Sequence, residues 1–244
     1  MHRFVFLHGF TQTHHHWHAV AARVVVAQVD PGATAAFVDL PGHGLAAADT
    51  DGSFDTIGAR LVDLAGAGTY VGYSMGGRIA LAAAATKDPR VERIVLVGAT
   101  PGIADDRERA ERSRLDDERA RRLETIGLDA FLDEWLAMPM FAGLPPDPDG
   151  LEHRRANTVA GLTHSLRRYG TGAQSPLWDA LPSIDVPALV LAGEHDAKFV
   201  EIGRAMAGAL PRATFSVVPG AGHAAHVERP TAFVDAVAAW LVAG

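Results

Sequence analysis

The sequence has no cysteine and very little lysine, and both absences limit what the chain can do. Without cysteine there is no disulfide, no zinc-thiolate site and no cysteine nucleophile. Only two of the 22 cationic residues are lysines, Lys87 and Lys198. The net charge of −7 argues against a nucleic-acid partner, because binding to phosphates depends on an excess of cations.

Long hydrophobic runs are also missing. The first apolar run, residues 4–7, is shorter than the hydrophobic region of a secretory signal. The longest runs, 79–85 and 236–243, fall well short of the roughly 20 residues that a membrane-spanning helix needs. We therefore expect a soluble, cytoplasmic protein that inserts into no membrane.

Most of the chain alternates short β-branched or aromatic runs with alanine-rich stretches, which is typical of α/β proteins. The runs are too uniformly apolar to leave one face in water. They therefore predict a mostly parallel sheet of about six strands with helices on both faces. The predicted strands are 3–7, 35–39, 69–72, 93–97, 188–192 and 214–218. The predicted helices are 16–26, 54–65, 75–85, 200–209 and 231–242.

This alternation stops between residues 101 and 178. The segment is rich in arginine, aspartate and glutamate, has a proline-rich turn at 144–148 and contains no convincing strand. Eleven of the twenty arginines lie between Arg107 and Arg168. We predict a helical cap over 101–178, inserted into an α/β core formed by residues 1–100 and 179–244.

The strongest chemical motif surrounds Ser74. Residues 72–76 read GYSMG, which fits G-x-S-x-G, and they join a predicted strand to a predicted helix. In this setting a serine projects its hydroxyl above the sheet, and the flanking glycines allow strand and helix to approach closely. Ser74 is therefore the candidate reactive serine.

An acid and a histidine follow Ser74 in the chain, each just after a strand. Asp196 is the predicted acid and His223 the predicted base, since both fall at the carboxyl ends of strands where an open α/β sheet builds its site. Glu194 and His195 compete with Asp196 but sit nearer the strand end. His226 is interpreted as a supporting or surface histidine.

Two further histidine features are interpreted as structural. His14, His15, His16 and His18 predict no metal site, because adjacent side chains point in different directions, no carboxylate stands at ligand spacing and the H-E-x-x-H pattern is absent. His43 lies in a tight turn at 39–44 and is interpreted as structural.

The strings LHGF, DLPGHG, GYSMGGR, GEHDAKF and GHAAHVERP, in this order, resemble the α/β-hydrolase superfamily over nearly the whole chain. Arg78, the D-x-K-F string at 196–199 and the segment from 100 to 141 most resemble one family within it. That family is the 2-succinyl-6-hydroxy-2,4-cyclohexadiene-1-carboxylate synthases of menaquinone biosynthesis. The resemblance implies a lyase that uses no cofactor and eliminates pyruvate from 2-succinyl-5-enolpyruvyl-6-hydroxy-3-cyclohexene-1-carboxylate by proton abstraction.

The resemblance also implies roles for particular residues. Ser74, Asp196 and His223 would form a catalytic triad, and the backbone amides of Phe10 and Met75 an oxyanion hole. The implied substrate-binding residues are Tyr73, Arg78, Arg112, Trp135 and Arg155. In the cap, a shift of one residue or one helical turn would substitute Arg109, Arg114 or Arg154.

The charges agree with a small polycarboxylate as substrate. Arginine next to the reactive serine and throughout the cap suits carboxylates, since guanidinium groups bind them bidentately. The alternative is that cap arginines only pair with neighbouring acids on the surface. Two other functions stay open, namely an α/β-hydrolase that cleaves an ester or C–C bond of a small substrate and a non-catalytic binding protein on the same fold.

Overall fold

A single parallel sheet organises the molecule, and the computed structural model describes it through residues 2–26 and 32–243. Its six strands stand in the order β2-β1-β3-β4-β5-β6, and every neighbouring pair is parallel. They are β1 (Arg3–Leu7), β2 (Thr34–Val38), β3 (Gly68–Tyr73), β4 (Val91–Val97), β5 (Ala188–Gly193) and β6 (Ala213–Val218). All six predicted strands are confirmed, with ends that move by at most two residues.

Helices follow the strands as the sequence predicts. The helices are α1 (His18–Val26), α2 (Phe54–Ala65), α3 (Met75–Ala85), α4 (Asp106–Ile126), α5 (Leu128–Leu136), α6 (Pro148–Arg155), α7 (Val159–Tyr169), α8 (Ala197–Ala209), α9 (Ala225–Glu228) and α10 (Pro230–Ala243). The predicted helix at 16–26 divides into a 3₁₀ turn, His14–Trp17, and α1. None of the described helices is long and apolar enough to cross a membrane.

The sheet separates two hydrophobic cores because side chains alternate along each strand. In β1, Val5 and Leu7 join the core beneath α2, α3 and α8, whereas Phe4 and Phe6 join the core beneath α1 and α10. The inner strands are buried on both faces. The edge strands β2 and β6 are partly exposed, unlike the uniform burial we expected, because each has a neighbour on one side only.

The segment between β4 and β5 is helical, as predicted. It holds α4 to α7 and two 3₁₀ turns, Pro139–Phe141 and Trp178–Ser183, and its described residues include no strand. α4, α5 and α7 share a small apolar core of their own, formed by Ala120, Leu123, Phe131, Leu162 and Leu166. Phe10 packs against this core from the loop after β1, so the insertion meets the sheet at the carboxyl ends of its strands.

Candidate active site

Ser74 occupies a sharp turn between β3 and α3. Its backbone has φ of +50° and ψ of −107°, a region that side-chain-bearing residues rarely adopt and that costs of order 1–3 kcal/mol. Glycines make the turn possible. A Cβ on Gly72 would lie 2.4 Å from the Gly76 carbonyl oxygen, and one on Gly76 would lie 2.3 Å from that of Leu7. The motif therefore places Ser74 where the backbone segments around the turn lie too close together for side chains on Gly72 and Gly76.

Ser74, His223 and Asp196 form a continuous hydrogen-bonded chain. His223 Nε2 lies 3.1 Å from Ser74 Oγ, and its Nδ1 lies 2.7 Å from Asp196 Oδ2. The His223 side chain is buried, and that of Asp196 is 16% exposed. This is the geometry in which a carboxylate orients an imidazole that removes a proton from serine.

The neighbouring candidates have other partners. Glu194 accepts a hydrogen bond from the Gly220 amide at 2.8 Å, which ties the loop after β5 to the loop after β6. His195 is exposed. His226 is fully buried and stacks on Trp17 at 4.3 Å, so it is a supporting histidine rather than a surface one. Burial, and then the charges of His223 and Arg154, lower the pKa of His226 to about 3.

Glu228 supports the base, although no sequence motif indicates this role. Its carboxylate accepts hydrogen bonds from the Gly222 amide at 2.7 Å and the Ala224 amide at 3.0 Å, one on each side of His223. Glu228 is largely buried. It therefore fixes the loop that carries the imidazole. The string GHAAHVERP contains this residue. However, no spacing rule predicts that a glutamate five positions after a histidine accepts hydrogen bonds from the loop around that histidine.

The loop after β1 holds Phe10 beside the sharp turn at Ser74, here called the elbow. The Gly76 amide donates to the His8 carbonyl at 3.0 Å, and the Gly9 amide donates to Gln12 Oε1 at 2.9 Å. Within the part of the chain that the structure describes, the amides of Phe10 and Met75 donate no hydrogen bond. Both amides are thus available to an oxygen that gains negative charge.

Two buried histidines hold this loop, and both are neutral. Burial lowers the pKa of His8 to about 4 and that of His43 to about 3. His8 Nε2 accepts from the Leu40 amide, and His43 Nε2 accepts from the Thr11 amide. Each Nδ1 then donates to a backbone carbonyl, of Gly9 and of Pro41 respectively. His43 is structural, as predicted.

A cavity of about 340 Å³ opens above Ser74. Its wall includes the side chains predicted to bind substrate, with one exception: Tyr73, Arg78, Arg112 and Trp135 line it, and Arg155 does not. Burial raises the pKa of Tyr73, so its phenol stays protonated. Gln12, Lys198 and Phe199, to which the sequence motifs give no substrate-binding role, also line the cavity.

Arg78 is a buried cation with neutral partners. Its guanidinium donates to Gln174 Oε1 at 2.9 Å and to the Tyr169 carbonyl at 2.7 Å. Burial, and then the charge of Arg112, lower the pKa of Arg78 to about 10, which leaves it charged at neutral pH. Among the described residues it has no carboxylate partner. Its guanidinium therefore lines the cavity without a directly bonded carboxylate, and Asp116 acts on it only at longer range.

The arginines of the helical insertion between β4 and β5 also differ in whether a carboxylate pairs with them. Arg154 lines the cavity, is 7% exposed and donates to Thr11 Oγ1, with no carboxylate partner in the described chain. Arg155 instead pairs with Asp129 and Glu152 on the surface. The structure thus corrects the placement of Arg155, because α6 turns Arg154 and not Arg155 toward the cavity. Arg112 lines the cavity but pairs with Asp116, 2.8 Å from its Nε, and Asp116 also pairs with Arg119 at 3.2 Å.

The other cap arginines considered as alternatives stay on the surface. Arg109 pairs with Asp106, and Arg114 pairs with Glu111 and Glu118. The surface ion-pair interpretation therefore holds for most of the cap. Among the described residues, one group has the spacing to hold a metal ion, His14 with His15 and His18, and it lies outside the lining of this cavity.

A parallel sheet, an elbow serine above it and a hydrogen-bonded histidine and aspartate from later strands define an enzyme of the α/β-hydrolase class. The alpha/beta hydrolase family model matches residues 4–236. A 2-succinyl-6-hydroxy-2,4-cyclohexadiene-1-carboxylate synthase of Serratia proteamaculans is 33% identical, over 98% of this chain and 92% of its own length. Its counterpart from Salmonella typhimurium is 34% identical, over 96% of this chain and 91% of its own.

Solved structures agree. MenH from S. aureus superposes with a TM-score of 0.89 at 32% identity, covering 99% of this chain and 94% of that one. A thermophilic esterase from Thermogutta terrifontis, at 23% identity and a TM-score of 0.77, shares the fold. The chain belongs to the 2-succinyl-6-hydroxy-2,4-cyclohexadiene-1-carboxylate synthase family of alpha/beta hydrolases.

Proposed function

We propose that the protein eliminates pyruvate from 2-succinyl-5-enolpyruvyl-6-hydroxy-3-cyclohexene-1-carboxylate, the reaction of its family in menaquinone biosynthesis. The observation that carries this proposal is the pair of buried guanidinium groups, Arg78 and Arg154, that line the cavity above Ser74 and have no hydrogen-bonded carboxylate among the described residues. Keeping a cation buried without a carboxylate is costly unless a ligand supplies the negative charge. A polycarboxylate supplies it.

The triad would act as a base. As Ser74 Oγ removes the proton α to the succinyl ketone, His223 Nε2 takes the serine's own proton, and Asp196 stabilises the imidazolium. The ketone oxygen becomes an enolate, which the Phe10 and Met75 amides would stabilise by a few kcal/mol. No covalent acyl-enzyme forms.

Elimination then completes the reaction. The enolate electrons form a double bond between ring carbons 2 and 3. The double bond that starts at carbon 3 of the substrate shifts to carbons 4 and 5, and the C–O bond between carbon 5 and the enolpyruvyl group breaks. Pyruvate leaves as its enolate and takes up the proton that His223 holds. Ser74 keeps the proton that it took from the substrate, so the protein is unchanged. The chemistry needs no redox step, metal or organic cofactor.

The helical insertion would act as the cap. We propose residues 101–178 as this cap and residues 1–100 with 179–244 as the core. The proposal is supported by the cavity wall, to which the insertion contributes Arg112 from α4, Trp135 from α5, Arg154 from α6 and Leu166 from α7. We further propose that the reaction takes place in the cytoplasm, where a protein without cysteine needs no oxidising compartment.

Incubation with the cyclohexene tricarboxylate and coupled detection of pyruvate tests this function. We expect one pyruvate per substrate consumed, and a Ser74→Ala variant that releases none above background. A p-nitrophenyl ester of a small neutral acid serves as the comparison substrate. Rapid ester hydrolysis without pyruvate release would instead identify the enzyme as an ester hydrolase.

A further inference from the structure

Three histidines converge on the surface where the loop after β1 enters α1. His14, His15 and His18 each place one ring nitrogen so that all three nitrogens lie within 4.8 Å of one another. The ring centroids of His14 and His15 are 4.0 Å apart, and those of His15 and His18 are 5.0 Å apart. Small side-chain rotations would place each of these nitrogens at roughly 2.0–2.1 Å from one shared ion, the length of a zinc–imidazole bond.

The local backbone explains why neighbouring histidines meet. His14–Trp17 forms a 3₁₀ turn that runs directly into α1 at His18. In a 3₁₀ turn side chains three residues apart are eclipsed, which brings His15 over His18. The His14 ring lies 4.0 Å from that of His15 and 5.5 Å from that of His18, so the three rings share one side of the chain. The expectation that these side chains point in different directions is therefore wrong.

A buried carboxylate orients the first of these histidines. Asp39, at the end of β2, accepts a hydrogen bond from the His14 amide at 2.7 Å, and its Oδ2 lies 2.8 Å from His14 Nδ1. The Asp39 side chain is 3% exposed, and the Leu45 amide also donates to it. A carboxylate on one ring nitrogen fixes the imidazole and leaves the other nitrogen available, as in histidines that bind metals.

A further histidine stabilises the second. His153 of α6 stacks on His15 with centroids 4.0 Å apart and an interplanar angle of 8°. This contact holds the His15 ring against the insertion and limits its rotation. The cluster is thus built from three parts of the chain, the 3₁₀ turn, the end of β2 and α6, and it is more than a run of histidines in the sequence.

We propose that His14, His15 and His18 bind one first-row divalent transition metal ion, with water in the fourth position. Three neutral nitrogen donors favour Zn²⁺, Ni²⁺ or Cu²⁺ over Mg²⁺ or Ca²⁺, which prefer oxygen ligands. None of the three histidines lines the Ser74 cavity, so the ion takes no part in pyruvate elimination. It would instead link the 3₁₀ turn, which carries His14 and His15, to the start of α1 at His18.

Titration of the chelator-treated protein with Zn²⁺ in a calorimeter tests the proposal. We expect one equivalent to bind, and His15→Gln and His18→Gln each to weaken binding by about tenfold or more. Asp39→Asn should weaken it by about 10- to 100-fold, the usual cost of losing a carboxylate behind a metal-binding histidine. The two histidine substitutions are at surface positions and should leave the fold intact, which circular dichroism would verify.

His16→Gln is the matched control within the same run of histidines. Its Nδ1 contacts the Thr13 backbone, and it lies outside the convergent group, so its substitution should leave Zn²⁺ affinity unchanged. A synthetic peptide of residues 10–23 is the second control and should bind more weakly than the folded protein. Equal affinity of peptide and protein, or equal losses from His16→Gln and His15→Gln, would overturn the proposal. Pyruvate release is not the readout, so failure here leaves the proposed reaction untouched.

Discussion

Adjacent arginines at the end of α6 allow a matched test of substrate binding. Arg154 faces the cavity, is 7% exposed and has only a hydroxyl as its side-chain partner. A substrate carboxylate bound there gains a charge-assisted hydrogen bond of about 1.5–3 kcal/mol. At about 1.4 kcal/mol per tenfold change in rate, Arg154→Ala should lower kcat/KM for the anionic substrate by about 10- to 100-fold.

Arg155→Ala is the matched control, because it removes the same type of side chain one position after Arg154. The Arg155 side chain is 41% exposed and pairs with Asp129 and Glu152, which are also on the surface. Such pairs contribute about 0–1 kcal/mol to stability and none of this energy involves substrate. We therefore expect kcat/KM of Arg155→Ala to stay within about twofold of wild type.

The assay is coupled pyruvate release at varied substrate concentration, with urea unfolding to confirm that each variant is folded. Arg154→Lys should recover only part of the activity, because an ammonium group lacks the planar fork of guanidinium. Thr11→Val removes the hydroxyl that Arg154 contacts while keeping the arginine, and so separates loss of binding from loss of this internal contact. Equal activity of Arg154→Ala and Arg155→Ala would refute the inference that the inward guanidinium binds a substrate carboxylate.

Three further predictions concern the triad, stability and the elbow. Asp196→Asn should lower kcat by about 10³- to 10⁴-fold, because the imidazole of His223 loses its orientation, while Glu194→Gln should keep kcat within about twofold of wild type. If Glu194→Gln instead showed the larger loss in the pyruvate assay, Glu194 would be the catalytic acid. His226 has a folded pKa of about 3 against 6.5 unfolded, so the unfolded chain binds more protons between these values and stability falls as pH drops through that window. Urea unfolding at pH 6, 5 and 4 gives the free energy of unfolding, whose slope against pH should be shallower by about 1.4 kcal/mol per pH unit in His226→Leu than in wild type. An unchanged slope would contradict the conclusion that His226 is neutral in the folded protein. Gly76→Ala should destabilise the protein by about 1–3 kcal/mol, since its Cβ would lie 2.3 Å from the Leu7 carbonyl oxygen; a urea midpoint equal to wild type would count against this crowding.

The sheet and the positions of Ser74, Asp196 and His223 could be predicted because the signals are local. Each strand is a short apolar run with turn residues at its end, and each of the three side chains lies within five residues of the end of such a run. Parallel strands bring their carboxyl ends to one edge, so three separate local signals specify one site. The hydrogen bonds that then join them follow from topology.

The contributions of Glu228 and Asp39 could not be predicted, because each depends on a contact across the fold. Glu228 accepts from amides on both sides of His223, and any acceptor that reached these amides would serve. Asp39 reaches His14 from 25 residues away in the sequence. Spacing rules describe neighbours within one helix, strand or loop. They therefore cannot predict a contact with a carboxylate from a different part of the chain.

The cap shows why net composition is a poor guide to a binding site. Neighbouring residues of an α-helix are rotated by about 100° about the helix axis. In α6, Arg154 therefore faces the cavity, whereas Arg155, one position further along, faces water. Most cap arginines are neutralised where they stand, Arg114 by Glu111 and Glu118 and Arg155 by Asp129 and Glu152. What distinguishes Arg78 and Arg154 is burial with no carboxylate partner in the described chain, a property of packing. An overall charge of −7 is therefore compatible with an anion-binding cavity, because the field that a substrate meets comes from the few cations that the fold leaves unpaired beside Ser74.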